Sequence, residues 1–167
     1  MTSPFRSISR VAPRRRVRPV VERATFVVVS QGAARYAFPV ESVERVLRPS
    51  AHASLDGTAS IAYATSTLVR RDLASMLSLN QPSAVSREAR VLVVRHDLSP
   101  HTAAAFSAVS VDDVHEVVAI ETALIGPVVP SVDGHDAPRH PAVRACFVHH
   151  DAPVWVLDPA RLSRDAA

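Results

Sequence analysis

The stretch Thr25-Phe26-Val27-Val28-Val29-Ser30, stopped by Gln31-Gly32 and followed by Ala34-Arg35-Tyr36-Ala37-Phe38, decides the fold class. The first run is β-branched and aromatic and too short for a helix. The second alternates, with Tyr36 and Phe38 on one face and Arg35 on the other. Together they predict a strand–turn–strand hairpin ended by Pro39. Beyond it, Val40, Val43, Val46 and Leu47 recur at helical spacing opposite Glu41, Glu44 and Arg45. That spacing predicts about two turns of helix, closed by Pro49.

Asp56-Gly57 marks a turn in the polar loop 49–59. Ile61 and Tyr63, then Thr67-Leu68-Val69, predict two short strands. Asp72 is placed to cap a short helix carrying Leu73, Met76 and Leu77, before Asn80-Gln81-Pro82-Ser83 breaks the chain. Val91-Leu92-Val93-Val94 predicts a strand buried on both faces. Strands over Ala103–Val111 and Val114–Ile120 follow, with Asp112-Asp113 at the turn between them. Pro127, Pro130, Pro138 and Pro141 punctuate a long connection. Val143–His149 and Pro153–Leu157 then make a last hairpin across His150-Asp151, and Asp158 opens a terminal helical turn carrying Leu162. The sum is about nine short strands and two or three short helices, a mostly β chain of small barrels or a sandwich.

Composition narrows the function classes. The 167 residues are 47% hydrophobic, enough for one compact unit. No apolar run approaches the ~20 residues of a membrane-spanning helix. A lone cysteine, Cys146, excludes a disulfide framework and reads as a small hydrophobe within a strand. The four glycines form neither a dinucleotide-binding fingerprint nor a phosphate-binding loop. All nineteen basic residues are arginine, and seven of them lie in residues 1–23 against the single acid Glu22. The division expected is a flexible Arg/Pro/Ser-rich tail over 1–23 and one domain over 24–167. Arg14-Arg15-Arg16 to Arg18 in the tail could touch nucleic acid or an anionic surface by counterion release, although nucleic acid is not the expected partner.

Two constellations bear on catalysis. Asp133, His135, Asp136, His140, His149, His150 and Asp151 are ligand types for a divalent metal, and so carry the alternative of a metal-dependent hydrolase. Their spacing opposes it: no H-E-x-x-H is present, and His149 and His150, adjacent in a strand, would face opposite ways. No G-x-S-x-G elbow exists either. The expectation is no enzyme, no metal and no cofactor.

Residues 24–163 resemble a CheW-like domain, the adaptor fold of bacterial chemosensory arrays. The matching pieces come in the family's order. Tyr36-Ala37-Phe38-Pro39-Val40 is similar to "y-a-l-P-V", and Val43-Glu44-Arg45-Val46-Leu47 to the helix "V-x-E-V-[IL]". Arg71-Asp72-Leu73 to Leu77-Ser78-Leu79 is similar to "v-v-D-L-x-x-x-L-G-L". The most specific match runs from Ala108 to Val117, against "g-l-x-V-D-x-V-x-E-V", and Val154 to Leu162 resembles the closing "l-L-D-x-x-x-L".

The resemblance implies two intertwined SH3-like five-stranded barrels over a shared core, in a cytoplasmic protein without chemistry of its own. It implies a role bridging chemoreceptors and a CheA-type histidine kinase. Partner contacts are expected on the first barrel, with Ile61, Tyr63 and Leu68 as apolar positions and Arg70 and Arg71 as rim charges for an acidic partner. Three departures stand out. Tyr63-Ala64-Thr65-Ser66 lacks the arginine and glycine of the family's "N-[LV]-R-G", Ser78 replaces the glycine of "L-G-L", and Ala145 replaces a glycine ahead of the last strands. Glycine is not freely exchanged where φ is positive, so a changed local backbone is expected there.

Overall fold

The computed structural model describes residues 21–48, 60–79, 89–97, 105–132 and 135–162. The Arg14–Arg18 run, Asp56-Gly57, Asn80–Ser83 and Asp133 lie outside these residues. The opening hairpin is β1 (Arg23–Gln31) and β2 (Ala34–Pro39). A 3-10 turn, Val40–Ser42, leads into β3 (Val43–Leu47), β4 (Ser60–Tyr63) and β5 (Ser66–Asp72). Helix α1 (Leu73–Met76) precedes β6 (Arg90–Arg95), β7 (Phe106–Val111) and β8 (Asp113–Glu121). After a second 3-10 turn come three two-residue strands: β9 (Gly126–Pro127), β10 (Ser131–Val132) and β11 (His135–Asp136). The closing pieces are β12 (Val143–His149), β13 (Ala152–Leu157) and α2 (Pro159–Leu162).

Two main sheets result. One has the order β8-β1-β2-β13-β12-β9, the other β3-β6-β7-β5-β4. The chain thus starts in the six-stranded sheet, builds the whole five-stranded sheet, and returns. Each sheet holds one parallel pair, β13 with β2 and β5 with β7. These pairs are the joints that the two crossings leave behind.

The crossing explains why two strands are apolar on both faces. In β1, Val27 and Val29 enter a central cluster, while Phe26 and Val28 enter the interior of the six-stranded barrel with Val118, Phe147 and Val154. In β6, Leu92 and Val94 join the central cluster, and Val91 and Val93 fill the five-stranded barrel with Leu68 and Ala108. Alternate residues of one strand therefore serve different cores. The central cluster also takes Tyr36 and Trp155 from the six-stranded sheet, Val109 and Val111 from β7, and Leu73 and Leu162 from the short helices.

The expected helix over residues 40–47 is a correction. Only Val40–Ser42 makes a helical turn, held by the Ser42 hydroxyl donating to the Pro39 carbonyl at 2.6 Å. From Val43 the chain is extended and pairs with β6 from Val43↔Val94 to Leu47↔Val91. A helix this short does not repay its nucleation, whereas pairing supplies ladder partners to a buried strand. Consequently Val43 packs on the central cluster, but Val46 is 46% exposed.

Candidate functional site

The five-stranded sheet curls until its outer strands β3 and β4 meet through side chains. Tyr63 of β4 lies edge-on to Phe106 of β7, with centroids 5.3 Å apart. The Arg45 guanidinium sits 5.8 Å from the Tyr63 ring centroid, and the Glu44 carboxylate lies beside the Tyr63 phenol. Partial burial, reinforced by Glu44, pushes the Tyr63 phenol above its ordinary value.

Strand alternation separates the five residues expected to meet a partner. Ile61 and Tyr63 are half-buried and pack on the barrel interior, and Leu68 is only 9% exposed inside it. Leu68 thus supports the surface from beneath. Arg70 follows Leu68 at the strand's two-residue period, and Val69 and Arg71 take the opposite face. On that face lies a half-open groove of about 270 Å³, lined among others by Val69, Arg71, Met76, His96 and Phe106. Val69 is 57% exposed at its rim. His96 is anchored there, its Nδ1 2.7 Å from the Pro159 carbonyl, and the Ser107 hydroxyl that also lines the groove is buried without a hydrogen-bond partner among the described residues. Val69, Met76 and His96 were missed. The alternation around Leu68 could have placed Val69 outward, but Met76 and His96 reach the groove only through tertiary packing.

The glycine departures resolve differently. Ser78 has φ 52° and Ala64 φ 51°, so both non-glycine residues hold a left-handed backbone. At Ser78 the expected change of backbone does not occur. The Leu79 amide donates to the Ala74 carbonyl at 2.9 Å and the Ser78 amide to the Ser75 carbonyl at 3.1 Å, a complete Schellman end for α1. The start of α1 is capped as expected, with the Asp72 carboxylate accepting from the Ser75 amide at 3.1 Å. Ala145 lies where the β12–β13 register shifts, in extended backbone that needs no glycine.

A second cluster joins the six-stranded sheet's distant strands β8 and β12. His149 Nε2 is 3.0 Å and His150 Nε2 3.3 Å from Oε1 of Glu116, and the two imidazole rings lie 4.1 Å apart. The His149 hydrogen bond, with help from the His150 charge, holds the Glu116 carboxyl below the usual carboxylate range. The expectation that the adjacent histidines diverge is corrected: His150 is in the turn after β12, with φ 49°. Among the described residues of the His-rich segment, only these two converge. His140 instead accepts the Ala142 amide at its Nδ1 at 3.1 Å. Cys146 is half-buried against the central cluster, its Sγ 3.6 Å from the Pro127 carbonyl.

Among the described residues no helix is long and apolar enough to cross a membrane. No curated protein sequence matches the chain. Among solved structures, it is similar to the scaffolding protein TtCheW from Thermoanaerobacter tengcongensis, at 18% identity and a TM-score of 0.60, covering 81% of this chain and 89% of that one. The likeness shows the fold, two SH3-like barrels. The family model described as "CheW-like domain" matches residues 25–167, spanning both sheets and all three cores. The chain belongs to the CheW-like domain family.

Proposed function

We propose that this protein is a non-catalytic adaptor that links chemoreceptors to a CheA-type histidine kinase, docking through the five-stranded barrel. The family match over residues 25–167 carries the reading, because it takes in strands of both sheets and the closing helix α2. The printed description of TtCheW as a scaffolding protein points the same way.

The docking surface is the β4–β5 side of the five-stranded barrel. Ile61 and Tyr63 are apolar ground stiffened by Leu68, Val69 is exposed at the groove, and Arg70 and Arg71 supply charge for an acidic partner. Such a mix of buried anchors and charged rim is what a protein partner exploits.

Pull-down of the kinase regulatory domain and of a receptor cytoplasmic tip tests this directly. The parent is expected to retain at least one of them. Arg70→Glu and Tyr63→Arg are expected to weaken capture by about 10-fold or more, since a desolvated anchor or charge contributes ~1–3 kcal/mol. Capture of neither partner by the parent would overturn the proposal.

A further inference from the structure

At the mouth of the six-stranded barrel, three metal-ligand side chains converge from elements far apart in sequence. Glu116 follows the period of Val118 along β8, and His149 follows that of Phe147 along β12; Val118 and Phe147 both belong to the barrel interior. Glu116 and His149 therefore continue the apolar interior outward as a polar rim, and the His149 ring rests edge-on against Phe147.

The third side chain arrives through a turn. His150 and Asp151 both have positive φ, 49° and 57°, the backbone of a two-residue type I′ hairpin. Asn-Gly takes that backbone with less strain. Here the turn brings His150 to the same carboxylate oxygen that His149 approaches, with Nε2–Oε1 separations of 3.3 and 3.0 Å. All three donor atoms lie within 4.8 Å of one another. A tetrahedral ion with bonds of ~2.0–2.1 Å holds neighbouring donors ~3.3 Å apart, so small ring rotations suffice to admit one. Two imidazoles and a carboxylate are the donor set of zinc-class ions and not of magnesium or calcium.

We propose that Glu116, His149 and His150 form a surface site for one divalent transition-metal ion of the zinc class, which staples β8 to the β12–β13 hairpin. The site is structural. The ion closes the barrel where the backbone ladder does not, since β8 pairs with β1 and three strands separate it from β12 in the sheet. Water or a group from another molecule completes the coordination shell, because His150 is 67% and Glu116 42% exposed in their side chains.

The test is zinc titration of the tag-free full chain, stripped with a chelator and followed by competition with a chromophoric chelator. Cobalt absorption reports the geometry. One equivalent is expected to bind with micromolar affinity and to raise the thermal midpoint. Glu116→Gln and His150→Asn should each weaken binding ~10-fold or more, while His140→Asn leaves it unchanged. Asparagine tolerates a left-handed backbone, so His150→Asn keeps the turn, and circular dichroism verifies the fold of each variant. Absence of saturable zinc binding, or undiminished affinity in both Glu116→Gln and His150→Asn, would overturn the proposal.

Discussion

Ser78 shows how much one backbone angle decides. It occupies the left-handed position of a Schellman end, where a Cβ costs ~1 kcal/mol that glycine does not incur. Ser78→Gly is therefore expected to stabilise the fold by about 0.5 kcal/mol, once the greater freedom of glycine in the unfolded chain is subtracted. Urea denaturation measures it, and a loss of stability would show that the serine hydroxyl matters more than the angle. Tyr36 gives a second expectation. It is 1% exposed, and burial pushes its phenol up to about 12. The folded value lies above the unfolded ~10, so the neutral phenol favours folding. That contribution is whole below about pH 10 and is lost as the pH rises through about 12. Absorbance titration should show Tyr36 ionising only near that limit or on alkaline unfolding, and Tyr36→Phe should flatten this part of the pH dependence. At this scale the sequence was readable where chemistry is local, as with the Asp72 cap. It misled at Ser78, because the Schellman hydrogen bonds hold the left-handed backbone even with a Cβ present.

Among elements, the hairpins were legible and their connections were not. The β1–β2 and β12–β13 hairpins follow from alternation and turn residues within a few positions, information that survives in a window of ten residues. The β3 segment did not, because its apolar spacing suits a helix and only pairing with β6 makes it a strand. Asp112 also acts between elements. Its carboxylate accepts the Gly32 amide at 2.6 Å and faces the buried Gln31 side chain at 3.5 Å, tying the β7–β8 bend to the β1–β2 turn. Asp112→Ala leaves an amide and a buried amide side chain without that acceptor, and should cost about 1–3 kcal/mol. Asp112→Asn should recover part of the loss; equal denaturation midpoints for Asp112→Ala and the parent would refute the tie.

For the whole molecule, the central cluster draws side chains from both sheets, so the two barrels are expected to unfold as one unit. Leu92 is fully buried there beside Val109, Tyr36 and Trp155, which come from both sheets. Leu92→Ala should cost about 2–5 kcal/mol and lower the stability of both barrels together. Trp155 fluorescence and far-ultraviolet circular dichroism should then trace one transition, whereas two separated transitions would show independent barrels. This level was reached in the sequence through resemblance, not through periodicity. The both-faced burial of Val91–Val94 hinted at a strand between two cores, but nothing local says that Tyr63 meets Glu44 and Arg45, or that Glu116 meets His149. Those contacts are products of sheet curvature. The proposed adaptor role is measured most directly by co-sedimentation of a receptor cytoplasmic fragment, a kinase regulatory domain and this chain. The prediction is a three-component complex that dissociates when the chain is omitted. A receptor and kinase that sediment identically with and without it would contradict that role.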